Sequence, residues 1–171
     1  MARHFGPILV DTNVIIECWR VSAWKALTGG YAVETVGVCF VETQTGFQRR
    51  RPEEQIDSQV LTATIKTVHP VTDAEFAEAL TRDPQISFLD AGEQALWAHA
   101  VRRKDAWVLC GPDKASLRIG IRLGLKDRLV SLERLLRDVG FRPRIDLKAA
   151  YTQKWLEQTL AELSLREGKT G

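Results

Sequence analysis

Two aspartates in this 171-residue chain sit where an apolar run gives way to a helical pattern. Asp11 follows Pro7-Ile8-Leu9-Val10, and Asp113 follows "WVLCGP". A carboxylate in that position can cap the helix that follows. It can equally be a metal ligand at the carboxyl end of a parallel sheet, where open α/β folds bind their ligands. Glu42 lies within "VCFVETQTGFQ", on a helix face shared with Val38, Cys39, Thr45 and Gly46. A partly buried carboxylate there is costly unless a cation or donors meet it, and the small neighbours leave room for a ligand. A solvated glutamate paired with Arg49 is the alternative. In "LDAGEQALWAHA", Asp90 and Glu93 have the spacing of a capping box, which accounts for both. The same spacing sets them side by side at the positive end of a helix dipole.

The elements that must position these acids follow from the patterning. Pro7 to Val10 predicts a short buried strand. Apolar residues at helical spacing predict one helix from Asn13 to Leu27, stopped by Gly29-Gly30. Tyr31 to Val36 predicts a second strand, and Val38 to about Arg50 a helix that Pro52 ends. Ile56 to Ile65 fits either type, and Thr67 to Val71 reads as a strand. Thr72-Asp73-Ala74-Glu75 opens a helix with a capping box and ends near Arg82. Asp90 to Lys104 predicts a helix, Ala106 to Cys110 a strand, and Lys114 to Gly124 a helix. Arg128 to Ser131 predicts a short strand, Leu132 to Val139 a helix, and Leu147 to Leu163 an amphipathic helix through Leu147, Tyr151, Trp155, Leu160 and Leu163. Strands alternating with helices imply a mostly parallel central sheet covered on both faces, a three-layer α/β/α sandwich. There is no repeat and no linker, so residues 1–146 and the tail 147–171 are expected to form a single domain.

Composition is that of a globular protein, with 44% hydrophobic and 27% charged residues. No apolar run approaches the roughly 18 residues that a membrane span needs. The short run cut off by Asp11 does not read as a secretory signal. Cys18, Cys39 and Cys110 are far apart, odd in number and flanked by apolar residues, which favours buried thiols in a reducing compartment. A cytoplasmic location is expected. The net charge of +2 names no partner. With the acids above set aside as one site, the rest of the chain is more basic than that figure. Arg49-Arg50-Arg51 and Arg102-Arg103-Lys104 are then candidate contacts for a polyanion, or solvated faces. His4 and His69 have no acidic or cysteine partner at ligand spacing, and His99 reads as a core or surface histidine.

"ILVDTN", "VET", "LDAGEQALWAHA" and "VLCGPD" come in the order and spacing of the acidic blocks of PIN domains, and the chain resembles that family over roughly residues 6 to 140. The resemblance implies a parallel α/β/α sandwich and a ribonuclease dependent on Mg²⁺ or Mn²⁺. It makes Asp11, Glu42, Glu93 and Asp113 the metal-binding and catalytic quartet, with Asn13 and Asp90 auxiliary. The chain departs from the family at two places. Glu93 stands where an aspartate is common, and Cys110-Gly111-Pro112 replaces the usual threonine or serine before the last aspartate. Convergent carboxylates repel and raise each other's pKa, a conflict that a hard divalent cation with oxygen ligands relieves. Such ions activate water for in-line attack on a phosphodiester and stabilise the leaving oxygen. Many small members of the family are toxins of the VapC kind, which implies an RNA substrate, a small antitoxin protein and a homodimer as partners, with Arg49, Arg50 and Arg51 as RNA contacts. A catalytically weak PIN-like module binding protein or RNA is the alternative, and a haloacid-dehalogenase-like phosphatase ranks third, because position 13 is asparagine where that chemistry wants an acid.

Overall fold

The computed structural model describes residues 2–46 and 49–168. Four short strands, β1 (Ile8–Val10), β2 (Val33–Val36), β3 (Thr67–His69) and β4 (Val108–Cys110), form one sheet in the order β3-β2-β1-β4. Every pairing is parallel, with Ile8 opposite Val33 and Val108, and Val36 opposite His69. Ile8, Leu9 and Val10 are all fully buried, because helices cover both faces of the sheet. Ile8 and Val10 pack into one core layer, and Leu9 into the other.

The first layer holds α1 (Thr12–Arg20), α2 (Trp24–Gly30), α4 (Ser58–Thr64) and α8 (Leu132–Asp138). The second holds α5 (Asp73–Arg82), α6 (Ala91–Ala100), α7 (Lys114–Arg122) and α9 (Gln153–Gly168). Between them α3 (Gly37–Thr43) straddles the carboxyl ends of the strands, with Cys39 in the second layer and Phe40 against the first. The result is a three-layer α/β/α sandwich around an all-parallel sheet, as the patterning implies. The second layer is knitted by Trp97, whose Nε1 donates to Ser116 Oγ at 2.9 Å and whose ring meets Trp107 edge-on at 6.4 Å. Among the described residues no helix is long and apolar enough to cross a membrane. The three cysteines are free and buried.

Several elements differ from expectation. The single helix from Asn13 to Leu27 is two, broken at Ser22, whose φ of 57° is left-handed and cannot continue a helix. The helix expected to reach Arg50 ends at Thr43, and Phe47 and Gln48 lie outside the described residues. Ile56 to Ile65 resolves as helix α4, capped by Asp57. The strand expected over Arg128 to Ser131 is a 3₁₀ turn (Lys126–Arg128) followed by one parallel bridge from Leu129 to Leu109.

The tail departs most. A 3₁₀ turn at Ala149–Tyr151 precedes α9, and Thr152 in extended backbone separates the two. Leu147 and Tyr151 pack against the first layer, whereas Trp155, Leu156, Leu160 and Leu163 belong to the second. The tail therefore touches both layers. Its first part is tied to α1 through Glu17, which is 1% exposed. Glu17 binds Arg20 at 2.6 Å and accepts from the Lys148 amide at 2.9 Å. Arg20 also donates to Asp146 O at 2.7 Å, and Tyr151 OH to Asn13 O at 3.2 Å.

Candidate functional site

Asp11 stands at the end of β1 as the N-cap of α1, its Oδ1 accepting from the Val14 amide at 2.9 Å. Capping engages one oxygen only. The other, Oδ2, faces Gly111, where an added Cβ would lie 3.5 Å away. Asp113 caps α7 after the neighbouring strand β4, with Oδ1 accepting from the Ala115 and Ser116 amides at 2.7 and 3.1 Å. Both aspartates are thus caps in fact, and each keeps a second oxygen for other work.

Glu42 reaches the same strand ends from α3. Thr12 Oγ1 donates to its Oε2 at 2.6 Å and lies 3.3 Å from Cys39 O. The carboxylate presses on Gly92: a Cβ there would stand 2.8 Å from Glu42 Oε2 and 3.2 Å from Cys39 Sγ. Glycine at 92 is what lets α6 start so close to α3. Arg50 closes the end of α3, donating to Thr43 O and Glu42 O at 2.6 Å each.

At the start of α6, Asp90 Oδ1 accepts from the Glu93 amide at 2.9 Å. The reciprocal bond of a capping box, from the Asp90 amide to the Glu93 carboxylate, is not formed among the described residues. At α5 the box is complete, with Thr72 and Glu75 bonded in both directions. Glu93 is therefore not occupied as a cap partner, yet it is only 6% exposed. Asp90, by contrast, is exposed.

The electrostatics follow from this crowding. Burial pushes Asp11 up to about 7; the Val14 hydrogen bond opposes the shift, and the charges of Asp90, Asp113 and Glu42 add to it. Burial likewise pushes Glu93 to about 8, with Asp113, Asp90 and Asp11 adding. Among the described residues no Lys, Arg or His forms an ion pair with Asp11, Glu42, Asp90, Glu93 or Asp113. Asp11, Thr12, Asn13, Cys39, Glu42, Asp90, Gly92 and Glu93 line one cleft, which leaves ≈ 10 Å³ for the centre of a water-sized body. That is room for about one water or small ion. The acids stand too far apart for any three to bring oxygens within 4.8 Å of one another. Their mutual repulsion favours that spread.

The structure thus brings Asp11, Glu42, Glu93 and Asp90 together with Asn13, and sets Asp113 on the adjacent strand end within their field. Asn13 is exposed. Of the expected RNA contacts, Arg49 and Arg51 are exposed, while Arg50 is engaged with α3. The second basic cluster is also engaged: Arg102 pairs with Glu75 and Glu78, and Arg103 with Glu34 and Asp105. Sequence reasoning missed Thr12 and Gly92 as partners of Glu42. Both lie inside motifs singled out for their acids, but the contact joins three separate elements.

His69 has no acidic partner at ligand spacing in the sequence, but the fold gives it a distant one. Parallel pairing of β2 with β3 puts Glu34 and His69 on one face, with Glu34 Oε2 2.7 Å from His69 Nε2. The two residues are 35 positions apart in sequence, which hid the pair. No protein-family model matches the chain, and no curated protein matches it either.

Proposed function

We propose that this chain is a metal-dependent endoribonuclease of the PIN type, hydrolysing RNA phosphodiester bonds at the cleft between α1, α3 and α6. The observation that carries the reading is a set of carboxylates at adjacent strand ends, two of them buried and none paired with a basic side chain among the described residues. An arrangement that raises its own acids to about 7 and about 8 is unfavourable unless positive charge enters it. The donor set is all oxygen, which suits Mg²⁺ or Mn²⁺ over softer ions. The bare Gly92 backbone leaves the Glu42 carboxylate its space.

Asp11 Oδ2, Glu42, Glu93 and the second oxygen of Asp113 would hold the ion, some of them through its retained waters, since no three stand at a common ligand distance. When bound, it supplies Lewis-acid polarisation of the phosphodiester and activation of water for in-line attack. The chain's own groups do the rest. The Val14 and Ser116 amides fix the carboxylates of Asp11 and Asp113, and the Thr12 hydroxyl orients Glu42. Asp90 anchors the start of α6, so that Glu93 is free to face the cleft. Arg49 and Arg51 offer charge to an RNA backbone, and control by a small antitoxin belongs to the same reading.

The test is cleavage of RNA with Mn²⁺ by the wild type, Asp11→Asn and Glu93→Gln. Both substitutions keep shape and, for Asp11, the cap. Activity should fall more than about 100-fold in each, beyond the effect of losing an outer-shell partner. Mn²⁺ should raise the melting temperature of the wild type, and EDTA should reverse it. Unchanged cleavage by both folded variants would sink the proposal; a wild type that neither cleaves nor responds to millimolar Mn²⁺ would favour a binding module.

A further inference from the structure

A second constellation lies apart from the acid cleft, between the edge of the sheet and α6. Glu34 of β2, His69 of β3 and His99 of α6 each offer a ligand atom within 4.8 Å of the others, and among the described residues they are the group of this kind. The two imidazoles stack at 4.0 Å with 20° between their planes. Into this group Arg103 projects a single nitrogen. Its Nη1 lies 2.5 Å from Glu34 Oε2 and 3.2 Å from His99 Nε2. Arginine only donates, so His99 Nε2 must accept, carrying its lone pair toward the positive charge. The rest of the guanidinium is held elsewhere, by Asp105, through Nε at 2.9 Å and Nη2 at 2.5 Å.

From this geometry we propose that Glu34, His69 and His99 form a binding site for a borderline divalent transition ion such as Zn²⁺ or Co²⁺, which takes the place of the Arg103 guanidinium between them. The site already surrounds a positive nitrogen with a carboxylate oxygen and an imidazole lone pair. The guanidinium is planar and rigid, so Nη1 leaves only when the whole group turns outward; Asp105, whose side chain is 45% exposed, can turn with it and keep the pair. His69 Nε2 joins as third ligand when the ion takes the place of its contact with Glu34. Tetrahedral ligands at the usual 2.0–2.1 Å from zinc stand about 3.3 Å apart, so modest side-chain rotation closes the group. Two imidazoles with one carboxylate suit these ions and not Mg²⁺.

For His99 and Glu34 the protonation states at neutral pH already suit binding. Burial, together with His69 and Arg103, holds His99 down to about 4, so it is neutral. Burial alone would raise Glu34, but its bonds to Arg103 and His69 outweigh that and keep it ionised. The His69 side chain is 23% exposed, which gives an ion an entry path and a water to complete its shell. Such an ion would clamp the edge strand β3 to β2 and α6. The site is independent of the acid cleft and stands whether or not the chain cuts RNA.

The experiment is a Co²⁺ titration of the full chain, followed by the visible absorption that imidazole-ligated, low-coordinate cobalt shows strongly and all-oxygen octahedral cobalt only weakly. The wild type should take up one ion with the strong spectrum, and Asp11→Asn should bind it unchanged. His69→Gln and His99→Gln, checked as folded by circular dichroism, should each weaken binding at least tenfold. Arg103→Gln, lacking the competing guanidinium, should bind about tenfold tighter; Arg103→Lys serves if that variant unfolds. No strong absorption in either the wild type or the folded arginine variant would overturn the proposal. So would a spectrum that survives both histidine substitutions.

Discussion

Two acids that hold their protons into the neutral range give the fold a particular pH dependence. Asp11 rises from 3.8 to about 7 and Glu93 from 4.5 to about 8. Between the lower and upper values each is protonated when folded and ionised when unfolded. The folded state then binds more protons, and stability present at low pH is lost as pH rises through that window. In EDTA, unfolding by urea should therefore show stability falling by a few kcal/mol from about pH 4 to about pH 8. Asp11→Asn, which still caps α1, should flatten the curve; parallel curves for variant and wild type would contradict the shift. Gly92→Ala probes the same cleft without touching its charge. Its Cβ would stand 2.8 Å from Glu42 Oε2, so the carboxylate must move. The rise in melting temperature proposed for Mn²⁺ should be smaller in this variant, with the metal-free protein altered less. At this scale the sequence was informative about Asp11 and Asp113, because an acid ending an apolar run is visible locally. It was silent on whether Glu93 caps or faces the cleft, since both roles share one spacing and only the missing reciprocal bond separates them.

Among the elements, α1 carries more than its length suggests. Its first residue orients Glu42, its cap lies in the cleft, and Glu17 near its end receives the tail. Glu17→Ala leaves Arg20 without its buried partner and the Lys148 amide without an acceptor. Breaking a buried pair of this kind costs about 3 kcal/mol. Thermal unfolding should fall by roughly 10 °C for a chain of this size; a change of about 1 °C would mean that the tail is held without Glu17, by its apolar contacts and by the bonds of Asp146 and Tyr151. Helices with one apolar stripe and a local cap, such as α5 and α7, were legible from spacing. The break at Ser22 was not, because a serine with φ of 57° has no local marker of the kind glycine provides. Nor was the fate of Leu129, since one bridge to Leu109 instead of a strand depends on how the 3₁₀ turn before it approaches the sheet.

Over the whole molecule, β1 and β4 were readable because strands covered on both faces appear as unbroken apolar runs, whereas β2 and β3 carry polar residues and were read from alternation and flanking turns. Which layer a helix joins was not readable. Leu147 and Tyr151 share an apolar spacing with Leu160 and Leu163, yet they pack on opposite sides of the sheet. The Glu34, His69 and His99 group was hidden for the same reason: it exists only once two parallel strands and a helix have been placed. Charge tells a similar story. Two runs of basic residues looked like one kind of surface, but Arg102 and Arg103 are engaged in ion pairs while Arg49 and Arg51 stay exposed.

The tail's double seat also fixes how the molecule should yield under tension. A pull applied beyond α9 works first on Leu156, Leu160, Leu163 and the bonds of Glu167 to Arg118 and Arg122. It reaches the Glu17 tie only after α9 has come away, and the strands after that. Drawn from its carboxyl end in an optical trap, the chain should release a short tail-length rip before the main one, with the parallel sheet still intact between the two events.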